Sequence, residues 1–313
     1  MKVVVTGGAG FIGAHVCRVL AEFEPTTEVV VIDDLSTGLA ANIDGVANVA
    51  LHVGSILDGG LLGRVVTPDV DAVVHLGARP SVPRSIADPV ASHEANATGT
   101  VRVLEAVRAA GVDQVIVASS SSVYGANPSL PKHEGLAPRP LSPYAASKLA
   151  TESYALAYAA SFGLGVLAFR FFNVFGPFQR AGHAYAAVVP AFASAALEGR
   201  PLPVHGDGRQ TRDFTYVGTV AAVIADAVAR KVVHPEPVNL AFGSRTDLLT
   251  LIGLLESILG HPVEREFVEP RVGDVRDSQA DNAVLRRLFP SVEPASLEAG
   301  LRATLAWFAA ESN

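Results

Sequence analysis

Short apolar runs alternate with longer amphipathic segments along the first half of the chain. Runs of three to five apolar residues bounded by glycine or polar residues predict buried strands, and apolar residues that recur every three or four positions predict helices. The predicted strands cover residues 3–6, 29–32, 51–53, 72–76, 114–118, 166–170 and 238–240, and the predicted helices cover residues 14–21, 96–110, 143–161 and 217–230. This alternation predicts an α/β fold whose parallel sheet is covered on both faces.

The first predicted turn is rich in glycine, because Gly7, Gly10 and Gly13 lie three residues apart between the first strand and the first helix. Glycine lets the backbone approach a pyrophosphate closely, and the helix N-terminus offers unpaired N–H groups. A glycine-rich loop alone is more often a simple turn. In this strand, turn and helix context it predicts a doubly wound, Rossmann-type sheet that binds a dinucleotide.

Two carboxylates, Asp33 and Asp34, stand at the end of the second predicted strand. A carboxylate at this position accepts hydrogen bonds from an adenosine ribose and would repel a 2′-phosphate, so NAD is favoured over NADP. Asp33 is the better candidate because it is the first residue out of the strand. Asp34 could instead cap the following loop.

The helix predicted at residues 143–161 carries a candidate acid/base pair. Ser142 can cap this helix and Pro143 suits its first turn, so Tyr144 and Lys148 lie one turn apart on one face. The ammonium would favour the phenolate and lower the pKa of Tyr144. Such a tyrosine can take a proton from an alcohol while hydride leaves the same carbon. The competing interpretation of this spacing is an ordinary solvated helix face.

The character of the sequence changes beyond Phe171, where prolines 177, 190, 201 and 203 separate shorter elements. We therefore expect residues 1–170 to form a dinucleotide-binding domain, to which residues 214–240 return. Residues 171–213 and 241–313 should form a smaller, discontinuous C-terminal lobe that binds the substrate.

Composition narrows the classes of function. The 313 residues are 49% hydrophobic and 18% charged, which excludes a disordered chain. A net charge of −7 without a basic stripe argues against a nucleic-acid partner. The single cysteine, Cys17, excludes an internal disulfide, and the nine scattered histidines suggest no metal site. We expect no signal peptide, no membrane span and a cytoplasmic location.

Motifs spread over almost the whole chain resemble one enzyme family. The matching segments are Thr6-Gly7-Gly8-Ala9-Gly10-Phe11-Ile12-Gly13, Asp33-Asp34-Leu35-Ser36-Thr37-Gly38, Asn96-x-x-Gly99-Thr100, Ser119-Ser120-Ser121-Ser122-Val123-Tyr124-Gly125, Ser142-Pro143-Tyr144 with Lys148, Arg170-Phe171-Phe172-Asn173-Val174-Phe175-Gly176-Pro177, Arg212-Asp213, and Gly273-Asp274 before Ala280-Asp281. Together they resemble the extended short-chain dehydrogenase/reductase family and, within it, the UDP-glucose and UDP-N-acetylglucosamine 4-epimerases.

The resemblance implies a mechanism and roles for individual residues. In these enzymes, hydride passes from sugar carbon 4 to NAD, the 4-keto sugar turns over in the pocket, and hydride returns to the other face. Tyr144 would be the acid/base, Lys148 would lower its pKa and bind the nicotinamide ribose, and Ser120 would hydrogen-bond the sugar 4-hydroxyl. The helices near residues 96–110 and 143–161 would pair with those of a second copy, so a homodimer is implied.

The resemblance also implies two binding sets. The cofactor set comprises Gly7, Gly10, Phe11, Ile12, Gly13, Asp33, Asp34, Leu35, Ser36, Thr37, Gly38, Ser55, Ile56, Leu76, Gly77, Ala78, Asn96, Ser119, Tyr144 and Lys148. The substrate set comprises Arg79, Ser120, Ser121, Ser122, Tyr144, Phe172, Asn173, Ala187, Val188, Val204, His205, Arg212, Arg271, Asp274 and Ser278. Within the second set, Asn173 and Arg212 would hold the diphosphate and uridine, and Arg271 and Asp274 would close over the uridine.

Sequence differences separate this chain from related enzymes. Nucleotide-sugar dehydratases carry an Asp-Glu pair where this chain has Ser121 and Ser122, which cannot titrate near neutral pH, so elimination of water lacks its acid and base. UDP-glucuronate 4-epimerases share the four serines but tend to carry Thr at the position of Asn173. In these relatives the residue at the position of Ser278 sets the size of the pocket beside the sugar 2-substituent. The resemblance therefore implies that a serine leaves room for an acetamido group, and both UDP-hexoses and their N-acetyl forms are expected substrates.

Three alternatives remain at this stage: a UDP-glucuronate 4-epimerase, another NAD-dependent nucleotide-sugar enzyme that reduces or dehydrates its substrate, and a dinucleotide-sensing regulator without turnover. Regulators of this kind commonly lose the Tyr or the Lys, and this chain retains both. Two positions depart from the family pattern. Ser55 stands where relatives usually have an Asp that touches the adenine amino group, and Gly218 replaces a frequent Asp.

Overall fold

The computed structural model describes residues 1–23, 26–181, 187–269 and 276–311. The strands are β1 Lys2–Thr6, β2 Glu28–Asp33, β3 Val49–Val53, β4 Ala72–His75, β5 Gln114–Ser120, β6 Gly165–Phe171, β7 Val174–Phe175, β8 Leu202–His205, β9 Thr211–Arg212, β10 Thr215–Tyr216, β11 Val238–Leu240, β12 Thr246–Asp247 and β13 Arg265–Val268. The helices are α1 Phe11–Phe23, α2 Gly59–Val65, α3 Val82–Ala87, α4 Pro89–His93, α5 Gly99–Ala110, α6 Pro143–Phe162, α7 Val188–Leu197, α8 Val217–Ala229, α9 Leu248–Leu259, α10 Ala283–Leu288 and α11 Leu297–Glu311.

Seven parallel strands form the central sheet, in the order β11-β6-β5-β4-β1-β2-β3. The chain runs outward from β1 to β3 and then crosses back to β4, so the direction of winding reverses between β1 and β4. In open parallel sheets, ligands bind at the carboxyl ends of the strands beside such a reversal. The expectation of a doubly wound, Rossmann-type sheet is confirmed.

Helices cover both faces of this sheet. One core layer contains apolar residues of α1, α8 and the sheet, including Leu20, Ile224 and Phe169. The other contains apolar residues of α2, α5, the sheet and α6, including Leu62 and Leu104. Because both faces are covered, β1 is apolar at every buried position from Val3 to Val5, as its sequence predicts.

A separate apolar cluster lies among α7, α9, α11 and β8, with Phe192, Leu251, Leu301 and Val204 fully or almost fully buried in it. Its elements come from the chain beyond Phe171, whereas β11 pairs with β6 in the main sheet. The expected two-part organisation and its boundaries stay a prediction.

The predicted strands and helices of the first half are all present, with ends shifted by three residues or fewer. The helix expected at residues 96–110 begins with a π-helical turn, Glu94–Thr98, before α5. Among the described residues, no helix combines the length and apolar character needed to cross a bilayer.

Candidate active site

The glycine turn after β1 is closely packed. Gly7 has φ of +71°, and a Cβ there would lie 2.7 Å from the backbone nitrogen of Gly77. A Cβ on Gly13 would lie 2.1 Å from the Gly7 carbonyl oxygen, so glycine is required where α1 meets the turn. The turn therefore has the compact backbone that lets a pyrophosphate approach a helix N-terminus, and it fits a dinucleotide.

Asp33 ties the end of β2 to this turn. Its carboxylate accepts hydrogen bonds from the Ala9 N–H at 3.0 Å and the Leu35 N–H at 2.9 Å. Burial raises the pKa of Asp33, and these N–H donors oppose that effect. The neighbouring Asp34 accepts from the Ser36 N–H at 2.9 Å and caps the loop, as the alternative interpretation anticipated.

Ser55, which replaces a frequent Asp, also closes a turn. Its hydroxyl oxygen accepts from the Leu57 N–H at 3.1 Å. Asp58 then caps α2 by accepting from the Gly60 and Leu61 N–H groups. The local role of Ser55 is thus structural, and an adenine contact by its side chain stays a prediction.

A buried polar chain that sequence reasoning missed connects the strands beside the winding reversal. His75 Nδ1 lies 2.7 Å from Thr6 Oγ1, and His75 Nε2 lies 3.0 Å from Thr100 Oγ1. The Gly77 N–H donates to Thr6 Oγ1 at 3.1 Å, so the chain also fixes the loop after β4. Burial, helped by the charge of Lys148, lowers the pKa of His75 to about 3, and the ring is therefore neutral.

Asn96 supports the same loop. Its Oδ1 accepts from the Arg79 N–H at 2.7 Å, and its Nδ2 donates to the Arg79 carbonyl oxygen at 3.2 Å and to Ser147 Oγ at 2.9 Å. The amide therefore joins the loop after β4 to α6, and a contact between Asn96 and the cofactor stays a prediction. The Arg79 guanidinium, predicted to contact substrate, pairs with Asp88 at 3.1 Å.

Helix α6 presents Tyr144 and Lys148 to the carboxyl end of β5. Ser142 caps the helix by accepting from the Ala145 N–H at 3.1 Å, as its sequence predicts. The Ser120 side chain lies close enough to the Tyr144 hydroxyl to influence its pKa. Lys148 Nζ donates to the Ala118 carbonyl oxygen at 2.8 Å. The three residues expected to carry the chemistry therefore meet at one edge of the sheet.

The electrostatics of the pair differ from the sequence expectation. Burial raises the pKa of Tyr144, and the nearby Ser120 side chain opposes this rise. Burial also lowers the pKa of Lys148 to about 8. The predicted lowering of the Tyr144 pKa by Lys148 is therefore wrong for this state. The physical reason is that Lys148 donates to the strand backbone and both groups lose hydration, which disfavours the charged form of each.

The remaining serines of the run have different surroundings. Ser119 is buried, and its hydroxyl donates to Glu152 at 2.8 Å, so its side chain does not face the crevice. Ser122 donates from its Oγ to Ser120 Oγ at 2.9 Å. Ser121 and Ser122 are half-buried in a 3₁₀ turn that follows β5. Either could contact a ligand held near Ser120.

A cavity of about 200 Å³ lies between β7, α7 and β8. Five residues predicted for the substrate set line it: Asn173, Ala187, Val188, His205 and Arg212. Sequence reasoning missed the other lining residues, namely Val174, Phe175, Gln179, Val189, Ala191, Phe192, Pro203, Gln210, Phe214 and Leu248. The cavity does not include Tyr144, so a ligand spanning both places would be elongated.

Other predicted substrate residues are less accessible. Phe172 and Val204 are completely buried, Phe172 with its ring 6.2 Å from that of Tyr124, so neither side chain can touch a ligand. The predicted substrate contacts of Phe172 and Val204 stay predictions. Ser278 is 7% exposed, and its N–H donates to the Thr211 carbonyl oxygen at 3.1 Å. The predicted uridine residues Arg271 and Asp274 lie outside the described residues.

Gly218, the other departure from the family pattern, has a packing role. A Cβ at this position would lie 2.7 Å from Cε1 of Tyr216, and a Cβ on Gly300 would lie 2.8 Å from Cδ2 of the same ring. The Tyr216 ring is thus held between two glycines and contacts Phe175 edge-on at a centroid distance of 5.8 Å. Glycine at position 218 makes space for this ring.

The sequence model of the NAD dependent epimerase/dehydratase family matches residues 3–241. The chain belongs to this family. Among its relatives, the UDP-glucose 4-epimerase of Mycolicibacterium smegmatis is 36% identical over 313 residues, which cover 98% of each chain.

Two solved structures of family relatives have nearly the same fold. A UDP-N-acetylglucosamine 4-epimerase from Methanobrevibacter ruminantium, in complex with UDP-N-acetylmuramic acid, has a TM-score of 0.93 and 35% identity and covers 99% of this chain and 98% of its own. A UDP-glucuronic acid 4-epimerase from Bacillus cereus, in complex with UDP-glucuronic acid and NAD, has a TM-score of 0.91 and 31% identity and covers 99% of this chain and 100% of its own.

The glycine turn and Asp33 agree with the cofactor in the family's name. NAD needs a close backbone approach for its pyrophosphate and a carboxylate at the end of the second strand for its adenosine ribose. Among the described residues, no group of three or more His, Cys, Asp or Glu is arranged to hold a metal ion.

Proposed function

We propose that this protein is an NAD-dependent UDP-sugar 4-epimerase, an isomerase that inverts carbon 4 of a hexose. The observation that carries the proposal is the meeting of Tyr144, Lys148 and Ser120 at the carboxyl end of β5, beside the winding reversal of the sheet. The relatives from Mycolicibacterium smegmatis and Methanobrevibacter ruminantium, both 4-epimerases by name, support it.

Each residue has a defined task in this proposal. When bound, NAD accepts a hydride from the sugar and returns it. Tyr144 removes the proton of the 4-hydroxyl and later returns it, and Ser120 holds that hydroxyl by a hydrogen bond. Lys148 binds the nicotinamide ribose. Asp33 holds the adenosine ribose.

The cavity beside β8 suits the nucleotide half of the substrate. Arg212 and Asn173 line it and can donate hydrogen bonds to a diphosphate, while Phe192 and Phe214 supply apolar surface for a base. Asn173 has φ of +28°, an unusual conformation, and its Nδ2 donates to the Asp213 carbonyl oxygen at 3.3 Å. We assign the cluster formed by α7, α9, α11 and β8 as the substrate-binding lobe.

The serine run favours epimerisation over elimination. A dehydratase needs an acid and a base beside the sugar in addition to the tyrosine, and Ser121 and Ser122 in the turn after β5 can be neither at neutral pH. Ser278, a small residue beside Thr211, leaves space for an acetamido group, so we include UDP-N-acetylhexosamines with UDP-glucose and UDP-galactose.

UDP-glucuronate is the second candidate substrate, because the Bacillus cereus relative is an epimerase of that sugar. Asn173 argues against it, since the glucuronate enzymes tend to carry Thr there. A product assay that includes all three sugar types resolves the choice.

We further propose a homodimer that pairs α5 and α6 with those of a second copy. Helices α3 and α4 pack against α6, and this part of the surface exposes Ile86, Val90, Tyr154 and Phe162 to between 46% and 65%. Apolar side chains of this size are normally covered by a partner when they cluster. Light scattering should give twice 32.5 kDa, and a 32.5 kDa species alone would contradict the dimer. A cytoplasmic location also stays a prediction from the sequence.

The function is tested by incubating the protein with UDP-galactose, UDP-N-acetylgalactosamine or UDP-glucuronate without added NAD, and again with NAD. NMR of the products distinguishes the candidate activities. A 4-epimer is the expected product. Accumulation of a keto-sugar would indicate a dehydratase, and unchanged substrate under both conditions would favour a sensing role.

A further inference from the structure

Consecutive residues at the end of β5 make separate contacts with helix α6. The Ala118 carbonyl accepts from Lys148 Nζ at 2.8 Å, and the Ser120 side chain lies close to the Tyr144 hydroxyl. The residue between them in the strand is Ser119. The contact of Ser119 with α6 therefore lies between the Ala118–Lys148 contact and the approach of Ser120 to Tyr144.

Ser119 donates its hydroxyl proton to Glu152 Oε2 at 2.8 Å. Glu152 lies one turn beyond Lys148 and two turns beyond Tyr144 on α6, so all three side chains project from one face of the helix. The three contacts form a ladder that joins the end of the strand to the helix.

The Glu152 carboxylate is itself fixed by Arg170 on the adjacent strand. Arg170 Nη2 donates to Glu152 Oε1 at 2.6 Å and Arg170 Nε donates to Glu152 Oε2 at 2.9 Å, so the ion pair is bidentate. The side chains of Arg170 and Glu152 are only 3% and 5% exposed. Arg170 and Ser119 are register partners across β5 and β6, so strand pairing aims both at the same carboxylate.

The Arg170 guanidinium makes further contacts with residues other than Glu152. It lies 4.7 Å from the ring centroid of Tyr124, and its Nη1 donates to the Glu134 carbonyl oxygen at 3.2 Å. The Tyr124 hydroxyl in turn donates to Asn239 Oδ1 on β11 at 2.6 Å. The ion pair is thus part of a continuous polar network through β5, β6, β11 and α6, with little freedom to move.

We propose that Glu152 is a positioning residue of this site: by holding Ser119 on one side and Arg170 on the other, it fixes the separation between the Ser120 hydroxyl and the Tyr144–Lys148 face of α6. This inference rests on the proposed function. Proton transfer requires hydrogen-bond reach between heavy atoms, about 2.6–3.2 Å, and a misplacement of about 1 Å can cost 100-fold in rate.

Ser119→Ala is the cleanest test, because it removes the bond between strand and carboxylate while leaving the buried ion pair intact. The control is Tyr158→Phe, which removes another hydroxyl-to-carboxylate bond of α6, the 2.7 Å contact with Glu105, away from the site. With NAD and UDP-sugar saturating, Ser119→Ala should lower kcat about tenfold with KM changed less than twofold. Tyr158→Phe should leave both constants within twofold of the parent.

Thermal melting of both variants separates positioning from general destabilisation. We expect similar small losses of Tm for the two variants but a loss of kcat only for Ser119→Ala. A kcat for Ser119→Ala within twofold of the parent would overturn the inference, as would equal losses of kcat in both variants. The proposed function is judged separately, by whether the parent produces a 4-epimer at all.

A second variant checks that Ser119 acts through the carboxylate. Glu152→Gln keeps the shape of the side chain but removes its charge, and we expect it to lower kcat further and to destabilise the fold. If the two residues form one unit, the double variant should have the kcat of Glu152→Gln within twofold. Losses that multiply instead would show independent roles and contradict the proposal. If Glu152→Gln does not fold, Ser119→Ala and its control decide alone.

Discussion

Replacing Lys148 with methionine should stabilise the cofactor-free protein while removing a group that the proposed reaction needs. Lys148 is 5% exposed, and its Nζ donates to the Ala118 carbonyl oxygen at 2.8 Å. The pKa of this ammonium is lowered from its ordinary 10.5 to about 8 by burial. Methionine has a similar length and no charge to desolvate, so it fits the same channel.

The size of the effect follows from the pKa. A change from 10.5 to about 8 corresponds to about 3 kcal/mol of unfavourable free energy for the ammonium at pH 7. Losing the hydrogen bond to Ala118 costs about 1 kcal/mol. Lys148→Met should therefore raise the free energy of unfolding by about 2 kcal/mol, or Tm by about 4 °C for a chain of this size.

The pH dependence has a definite sign. The folded chain releases the Lys148 proton near pH 8, whereas the unfolded chain keeps it until pH 10.5, so between these values the unfolded state binds more protons. The free energy of unfolding of the parent therefore rises with pH across this window, as far as Lys148 is concerned. The destabilisation caused by the buried ammonium is fully present below pH 8. The advantage of Lys148→Met should fall to about zero by pH 9.5.

Urea unfolding of parent and variant at pH 7 and pH 9.5 measures the difference in their free energies of unfolding. The other ionisable groups are the same in both proteins, so their contributions cancel in this difference. Lys231→Met, at an exposed lysine paired with Asp113, is the control and should change stability by less than about 0.5 kcal/mol at either pH. The reasoning would be refuted if Lys148→Met were less stable than the parent at pH 7 by more than 1 kcal/mol, a threshold set by the lost hydrogen bond. A difference that did not change with pH would refute it as well.

Two further predictions concern packing and substrate choice. Gly218→Asp should destabilise the fold by about 1–3 kcal/mol in thermal unfolding, because the new Cβ would lie 2.7 Å from the Tyr216 ring, and a variant as stable as the parent would disprove that account. Ser278→Tyr should lower kcat/KM for UDP-N-acetylgalactosamine at least about tenfold relative to UDP-galactose, since it fills space beside the sugar. An unchanged ratio would show that Ser278 does not set the size of the pocket.

The first half of the fold could be predicted from sequence because its signals are local. Strands β1, β2, β4, β5 and β6 each contain a buried apolar run, whereas the edge strand β3 is partly exposed, and the glycine turn after β1 marks the connection to α1. The second half contains two-residue strands such as β7, β9 and β12, which exist through pairing with distant segments. Such short elements carry no periodic pattern, so propensity cannot reveal them.

Residue type and spacing predicted which residues form the site better than they predicted the contacts of those residues. Tyr144 and Lys148 were correctly placed on one helix face, but spacing does not show where Nζ points, and the direction of the Tyr144 pKa was therefore wrong. Asn96 and Ser119 lie in the expected region, yet their side chains are used inside the protein. The Glu152–Arg170 pair depends on strand register, which the sequence alone does not supply.

The central claim is that Tyr144 moves the proton of the sugar 4-hydroxyl. Its most direct test is turnover of a UDP-sugar by Tyr144→Phe, followed by NMR with the parent alongside and the bound NAD content of both proteins measured. We expect kcat to fall by at least about 100-fold with the NAD content unchanged, since general acid/base groups contribute about 10²–10⁴ in rate. Interconversion by Tyr144→Phe at the rate of the parent would contradict the mechanism.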